Sequence, residues 1–338
     1  MQATEHKHLG IFFSEDMKWL KHTSYITAKA SKVIGQMYRS SIYLNKKQLS
    51  NVYLKMVRPL LEYGSFIFDN CNFLEAKKLE NVQRRAAVIC TGAMRRTETC
   101  KIMELLSWPS LETRRKEQKL IMIFKIYKNL TPLYLSENIQ CKLKDKNLRH
   151  SKNDMIVEPT CRITCYKTSF FPSNIREWNG LHCDVTSISS LSLFKLTLSR
   201  HLNAAMVNKT ACPMFEFSFG FYGRILTQLK LDLSGLNEHL FVYNIIDNPF
   251  CPNCFECIEN TMHYFLKCTS YAECRQDLLN VLQSCLVKCQ LNNISEKSTI
   301  DFILNGFNIE NKNVYYLVNK ELFAAVKTYM VLTKRFLK

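Results

Sequence analysis

Apolar residues recur at intervals of three and four along much of the first 145 residues, the spacing that places side chains on one face of a helix. Residues 49–61 show this pattern first. Pro59 lies inside this run, and a proline ends or kinks a helix because it lacks a backbone N–H. We therefore predict a helix that is interrupted near Arg58.

Three further segments have helical spacing. Residues 79–90 predict a helix that ends at Thr91-Gly92, because glycine readily adopts the left-handed conformation of a helix C-terminus. A longer helix is predicted over residues 111–129, where Thr131-Pro132 should stop it. The last helix is expected over residues 319–336.

The middle of the chain has a different character. Residues 141–154 are polar and basic, which is typical of a linker. Residues 155–169 are rich in β-favouring side chains, so short strands are predicted there, and a short helix follows over residues 191–202. The predicted fold class is mainly α, with a small α+β connector between two helical parts.

The chain carries a formal net charge of +17, and most of it lies in residues 1–150, which hold 27 Lys and Arg against 13 Asp and Glu. Such a concentration favours polyanions, because Lys and Arg displace the counterions of a phosphate backbone. The alternative is the solvated surface of an ordinary basic protein. No run of about 18 apolar residues predicts a membrane span. The first ten residues contain no secretory signal, so we expect reduced cysteines and an intracellular location, nuclear or cytoplasmic.

Basic pairs are the candidate phosphate contacts. They are Arg84-Arg85, Arg95-Arg96 and Arg114-Arg115, with Lys119 on the same helix face as Arg115. Three pairs within one net-positive helical region indicate a nucleic-acid groove, although any one pair alone is typical of a solvated helix face. Tyr38, Tyr53 and Phe68 are candidates for base stacking, with the core of the fold as the alternative.

A cysteine and histidine cluster stands out near residue 260. Cys251, Cys254, His263 and Cys268 form a C-x2-C-x8-H-x4-C pattern, and three thiolates with one imidazole suit a tetrahedral zinc ion. Four protein ligands leave no open position, so we predict one structural zinc ion. Cys257 could replace one of the ligands. The alternative is a set of buried cysteines with a surface histidine.

Motifs for catalysis are missing from the sequence. No two aspartates are adjacent, although a nucleotidyl transferase needs paired carboxylates to hold two metal ions. The sequence also contains no G-x-x-x-x-G-K-[ST] phosphate loop and no G-x-S-x-G nucleophile elbow. We therefore expect that the chain is not an enzyme on its own.

The order of several motifs resembles the C-terminal part of a non-LTR (LINE-type, jockey-like) retrotransposon reverse transcriptase. The matching segments are Tyr53-Leu-Lys-Met-Val-Arg-Pro-Leu-Leu-Glu-Tyr-Gly64, Leu79-Glu-Asn-Val-Gln-Arg-Arg-Ala-Ala87, Thr91-Gly-Ala-Met-Arg-Arg-Thr97, Leu106-Ser-Trp-Pro-Ser-Leu-Glu-Thr-Arg-Arg115, Ile175-Arg-Glu-Trp-Asn179 and the cysteine and histidine cluster. The likeness extends over nearly the whole chain. Phe68 stands where the family often has tryptophan, and the pattern of a restriction-like endonuclease is not found after Cys268.

This resemblance implies a domain order and a partner. A thumb-like helical domain is expected over 1–145, a connector over 146–212 and a zinc-binding unit over 213–338. In the family the thumb holds the template–primer, so RNA or an RNA/DNA template–primer is the expected partner, and Arg58 joins the candidate contacts. The catalytic fingers and palm would lie in a separate or upstream segment. The competing hypothesis is a zinc-stabilised structural or interaction protein with no nucleic-acid role.

Overall fold

The computed structural model describes residues 4–141, 155–203, 212–218, 220–291 and 294–336. It is mainly helical, as predicted. The two strands are β1 (Glu5–His8) and β2 (Ile11–Ser14). The helices up to residue 141 are α1 (Leu20–Ser40), α2 (Lys46–Val52), α3 (Arg58–Glu62), α4 (Ser65–Phe68), α5 (Phe73–Thr91), α6 (Thr99–Leu106), α7 (Leu111–Tyr127) and α8 (Leu133–Ser136).

The remaining described residues are also largely helical. They form α9 (Thr164–Lys167), α10 (Phe170–Asn179), α11 (Cys183–Thr186), α12 (Leu191–Leu202), α13 (Met214–Phe217), α14 (Gly220–Lys230), α15 (Asn237–Val242), α16 (Ala272–Lys288), α17 (Glu296–Asn305) and α18 (Lys312–Thr333). Two π-helical turns, Tyr53–Val57 and His263–Lys267, and a 3-10 turn, Thr269–Tyr271, complete the set. No helix among the described residues is long and apolar enough to span a bilayer.

Two compact units divide the chain. Unit 1 comprises Met1–Lys32, Val57–Gln83 and Ser107–Lys209, and unit 2 comprises Val33–Met56, Arg84–Leu106 and Thr210–Lys338. Each unit is therefore assembled from separate stretches of sequence. The domain ranges 1–145, 146–212 and 213–338 are continuous and differ from this division, so they stay predictions.

The predicted interruption at Pro59 is confirmed. α2 ends at Val52, the π-helical turn follows, and α3 begins at Arg58 with Pro59 in its first turn. A proline is well placed there, because the first N–H groups of a helix have no partner within it. The predicted end of α5 is confirmed as well: the helix stops at Thr91, and Gly92 has a φ of +71°.

The short strands predicted over 155–169 are wrong for the described residues. Only Ile156 makes a bridge, to Cys141, and Thr164–Lys167 is a helical turn. The N–H and C=O of Ile156 are instead bonded by the side chain of Asn179, while its own side chain is fully buried. β-propensity expresses how a side chain fits its surroundings, so a buried loop satisfies it equally well. The predicted linker lies outside the described residues from position 142 to 154.

A hairpin near the N-terminus is the other departure, because this region was predicted to be mainly helical. β1 and β2 pair antiparallel, with His8 opposite Ile11. The two residues of the turn, Leu9 and Gly10, have φ values of +45° and +85°. Two positive φ angles match the twist of a two-residue hairpin, but leucine rarely adopts one, so the sequence gives little warning of this turn.

Each unit has its own apolar core. In unit 1, α7, α10 and α12 bury Phe124, Trp178 and Phe194, and the rings of Phe124 and Phe194 stack at 4.2 Å. In unit 2, α16 packs against α18, and the aromatic residues Tyr264 and Phe265 enter the same core. These two residues directly follow His263, so the cysteine and histidine cluster rests on the core of unit 2.

Candidate metal centre and basic groove

The four predicted metal ligands come together in unit 2. The donor atoms of Cys251, Cys254, His263 and Cys268 all lie within 4.8 Å of one another. The Sγ atoms of Cys251 and Cys268 are 3.8 Å apart, and the Sγ of Cys254 lies 3.4 Å from Nε2 of His263. This arrangement could hold a metal ion.

Backbone hydrogen bonds shape the loop that carries the first two cysteines. The N–H of Cys251 donates to the C=O of Cys257 at 2.8 Å, and the N–H of Phe255 donates to the C=O of Cys251 at 3.0 Å. Phe250 and Ile258 close the loop with an antiparallel bridge. Cys257 contributes its backbone to this turn while its side chain is exposed, so the structure does not place its thiol among the ligands.

The other two ligands are set by a wide helical turn. The Oδ1 of Asn260 accepts the N–H of His263 at 2.8 Å, and the N–H of Cys268 donates to the C=O of His263 at 2.8 Å. The five-residue turn His263–Lys267 thus places the imidazole and the last thiol side by side. Such turns are rare in regular helices and frequent at functional sites.

Burial sets the protonation of these groups. Cys251 and Cys268 are fully buried and His263 is nearly so. Burial raises the pKa of Cys268 to about 12 and lowers the pKa of His263. For Cys254 the pKa is lowered: burial opposes the change, and hydrogen bonds from the backbone of Glu256 and Cys257 outweigh it. A neutral imidazole is ready to bind a cation, whereas the buried thiols must give up protons to it.

Two arginines stand beside the cluster. Arg335 donates to both carboxylate oxygens of Glu259, a fully buried residue whose Oε1 lies 4.0 Å from the Sγ of Cys251. Arg275 is buried and donates to the backbone C=O of Cys268. Three thiolates around a divalent ion would leave one negative charge, and these guanidinium groups offset it together with that of Glu259. Neither arginine was singled out from the sequence, where nothing marks a residue as far away as Arg335.

A second group of potential ligands lies in unit 1. His182, Cys183 and Asp184 are consecutive and exposed, with 3.1 Å between Nδ1 of His182 and Oδ2 of Asp184. These side chains bond to one another on the surface of a short turn.

Two of the three basic pairs contribute to one groove in unit 2, which we name the basic groove. Arg84, Arg85 and Arg95 line it together with Tyr38, and its apolar lining is formed by Ile34, Gly35, Val88 and Ile89. The groove has a volume of about 550 Å³. Tyr38 is 66% exposed, whereas Tyr53 and Phe68 are buried and cannot stack bases.

The guanidinium of Arg84 is held by the segment that follows α5. Its Nη2 donates to the C=O of Arg95 and Thr97, and its Nε donates to Oγ1 of Thr99 at 3.0 Å. These partners are neutral, so they orient the positive charge of Arg84 without cancelling it. Arg85, Arg95 and Arg96 are exposed.

The basic residues predicted in unit 1 are engaged by carboxylates. Arg114 donates to both oxygens of Glu62, and Nε of Arg58 lies 3.8 Å from the same carboxylate. Arg115 is 3.1 Å from Asp69, and Lys119 lies between Asp69 at 2.6 Å and Glu177 at 3.4 Å.

Arg115 and Lys119 were predicted as phosphate contacts, and the structure corrects this prediction. The two residues are only 4% and 5% exposed. A side chain that is both buried and paired cannot reach a phosphate without breaking its ion pair, which is costly. The sequence shows their shared helix face but not the acidic residues that meet it from Asp69 and Glu177.

Comparisons with protein-family models, with curated proteins and with solved structures found no match to this chain. The resemblance to a reverse transcriptase therefore stays a prediction, and the geometry described above is the basis for any functional proposal.

Proposed function

We propose that this chain binds nucleic acid, as RNA or as an RNA/DNA template–primer, through the basic groove. The observation that carries the proposal is the convergence of Arg84, Arg85 and Arg95, which are separated in sequence, on one groove beside an exposed tyrosine. Arginine binds phosphate through several donors, and its charge releases the counterions of the polyanion. Arg96 is exposed next to Arg95 and would add a further contact.

The order of the sequence motifs supports a more specific proposal. We infer that the chain corresponds to the thumb, connector and Cys/His parts of a non-LTR retrotransposon reverse transcriptase. On this view it holds the nucleic acid and does not itself add nucleotides, because the paired aspartates that this chemistry needs are not in the sequence. A fingers–palm segment, separate or upstream, would supply them. This role would place the protein inside the cell, in the nucleus or the cytoplasm.

For the metal centre we propose one zinc ion with a structural role. Zinc–sulfur bonds of about 2.3 Å at tetrahedral angles put two sulfurs about 3.8 Å apart, and a zinc–nitrogen bond of about 2.0 Å puts nitrogen about 3.5 Å from sulfur. The separations of 3.8 Å for Cys251 and Cys268 and 3.4 Å for Cys254 and His263 fit these values. Borderline-soft zinc suits thiolate and imidazole donors.

The test is binding of fluorescent RNA and primer–template at several salt concentrations. We expect affinity to fall steeply between about 50 and 200 mM salt, and no primer extension. Replacing Arg85 and Arg95 together by Ala should flatten the slope of log K against log salt by about 1. Arg84 is left in place because it holds the segment after α5.

The matched control removes the same charge elsewhere in unit 2. Lys320→Ala with Lys327→Ala changes two exposed residues of α18 that do not line the groove. This double variant should bind as the wild type does. Equal losses in the two double variants would mean that net charge, and not the groove, determines binding.

A zinc-stabilised structural or interaction protein is the second candidate. The ion pairs of Arg114, Arg115 and Lys119 with acidic residues favour it, because they make part of the predicted basic surface a stabilising network within unit 1. Weak binding with little dependence on salt, unchanged in the Arg85 and Arg95 variant, would support this candidate over nucleic-acid binding.

A further inference from the structure

The basic groove contains more than a phosphate contact requires. A surface that follows only the backbone of a duplex needs positive charge, and its contacts carry no requirement for apolar area. In this groove, Ile34, Val88 and Ile89 present apolar side chains between the arginines and Tyr38. Its volume of about 550 Å³ lies within the range of roughly 300–1,000 Å³ that is usual for small-ligand pockets.

Gly35 leaves the groove open. It lies inside α1, where glycine is less favourable than alanine, and a Cβ added to it would meet only Nη1 of Arg39, at 4.0 Å. The space above the helix at this position is therefore empty. Tyr38 is three residues further along and lies on the same helix face, with two thirds of its surface exposed.

We propose that the basic groove takes one unpaired nucleotide of a single-stranded nucleic acid. This inference rests on the proposed function and specifies the form of nucleic acid that the groove selects. The base stacks on Tyr38 over the apolar lining, and the adjoining phosphates contact Arg85 and Arg95. A paired base is stacked inside its duplex and cannot enter, so single strands or unpaired ends are selected.

The inference is tested with three probes of one sequence: a single strand, the corresponding duplex, and a single strand with abasic sites that keeps the phosphates and lacks bases. Wild-type protein should bind the first about ten-fold more tightly than either of the others, as expected for the loss of one stacked base. Tyr38→Phe should retain this preference and Tyr38→Ala should lose it. Tyr43→Ala removes a tyrosine of the same unit that is 84% exposed and does not line the groove, so it should have no effect.

A second variant fills the groove without removing any contact. Gly35→Leu introduces a residue that favours helix, so folding should be preserved while the space for the base is lost. It should bind all three probes alike, at the affinity that wild type shows for the abasic strand. Gly35→Ala also favours helix but adds a single methyl group, and it should keep the preference.

The outcomes separate this inference from the function on which it rests. Equal, strongly salt-dependent binding of wild-type protein to all three probes would retain nucleic-acid binding and overturn the nucleotide site. Unchanged preference in both Tyr38→Ala and Gly35→Leu would also overturn it. Absence of salt-dependent binding to any probe would overturn both the site and the proposed function.

Discussion

Arg335 binds both carboxylate oxygens of Glu259, with 2.5 Å from Nε to Oε1 and 2.6 Å from Nη2 to Oε2. The same arginine donates to the C=O of Gly235 at 3.0 Å, and the backbone N–H of Asn237 donates to Glu259 at 2.8 Å. Glu259 lies between the second and third metal ligands in sequence. The pair therefore fastens the loop of the metal centre to the end of the chain.

We expect Arg335→Met to lower the free energy of unfolding by about 3 kcal/mol, because it leaves the carboxylate of Glu259 buried without its partner. The same variant should release metal to a chelator faster than wild type. Adding Glu259→Gln removes the unpaired charge and should restore most of the stability. Denaturant unfolding and metal release measure the two effects, with Lys334→Met as the neighbouring control. A loss no larger than that of the control would show that the pair stabilises nothing.

Removing two ligands should abolish metal binding. For Cys251→Ser combined with Cys254→Ser we expect no retained zinc and a lower melting temperature, because metal binding contributes directly to the folding of such sites. Elemental analysis should find one zinc per wild-type chain.

Cys257→Ser is the matched control for the ligand pair, since it changes an exposed thiol of the same loop. It should keep both the metal and the melting temperature. Wild-type protein that contains no metal and melts at the same temperature as the double variant would contradict the zinc proposal.

Arg115 tests the difference between a surface charge and a buried ion pair. We expect Arg115→Ala to destabilise the protein by about 3 kcal/mol, because Asp69 loses one of its two partners in a buried setting. At a salt concentration where the variant is folded, its affinity for RNA should equal that of wild type. Unfolding by denaturant and RNA titration check the two parts. A stable variant with a weakened affinity for RNA would restore Arg115 as a phosphate contact.

The parts of the fold that the sequence predicts are those fixed by local chemistry. Helical spacing, Pro59 and Gly92 act within a few residues, so α3, α5 and α7 are recognisable from sequence. The metal ligands are equally accessible, because the C-x2-C spacing and the thiolate chemistry restrict what the four residues can do. The strands predicted over 155–169 failed because the backbone partner of Ile156 is a side chain, that of Asn179, 23 residues away.

Long-range partners account for what the sequence leaves out of the candidate sites. Nothing near Lys119 in sequence indicates that Asp69 and Glu177 will surround it, and nothing near Glu259 indicates Arg335. The basic groove lies between these cases. Its arginine pairs are visible in the sequence, but the apolar lining and the open position at Gly35 depend on how α1 and α5 pack within unit 2.

Lys46 provides a test of buried charge that involves neither proposed site. It is 5% exposed, and its Nζ donates to the C=O of Gly223 at 2.7 Å and to the hydroxyl of Thr227. Burial lowers its pKa from 10.5 to about 7. The unfolded chain therefore binds more protons than the folded chain between about pH 7 and pH 10.5. The contribution of Lys46 to the free energy of unfolding must rise with pH across this window, with its full penalty present below pH 7.

Lys46→Met should remove this dependence. We expect the variant to gain up to a few kcal/mol relative to wild type at pH 6, less whatever is lost with the two hydrogen bonds, and to lose that advantage steadily toward pH 10. Lys47→Met is the control, because Lys47 is exposed and adjacent, and its stability profile should follow that of wild type. Denaturant unfolding of the three proteins at several pH values gives the curves. A constant difference between Lys46→Met and wild type from pH 6 to pH 10 would mean that Lys46 keeps its ordinary pKa despite its burial, and that its hydrogen bonds fully replace the water it has lost.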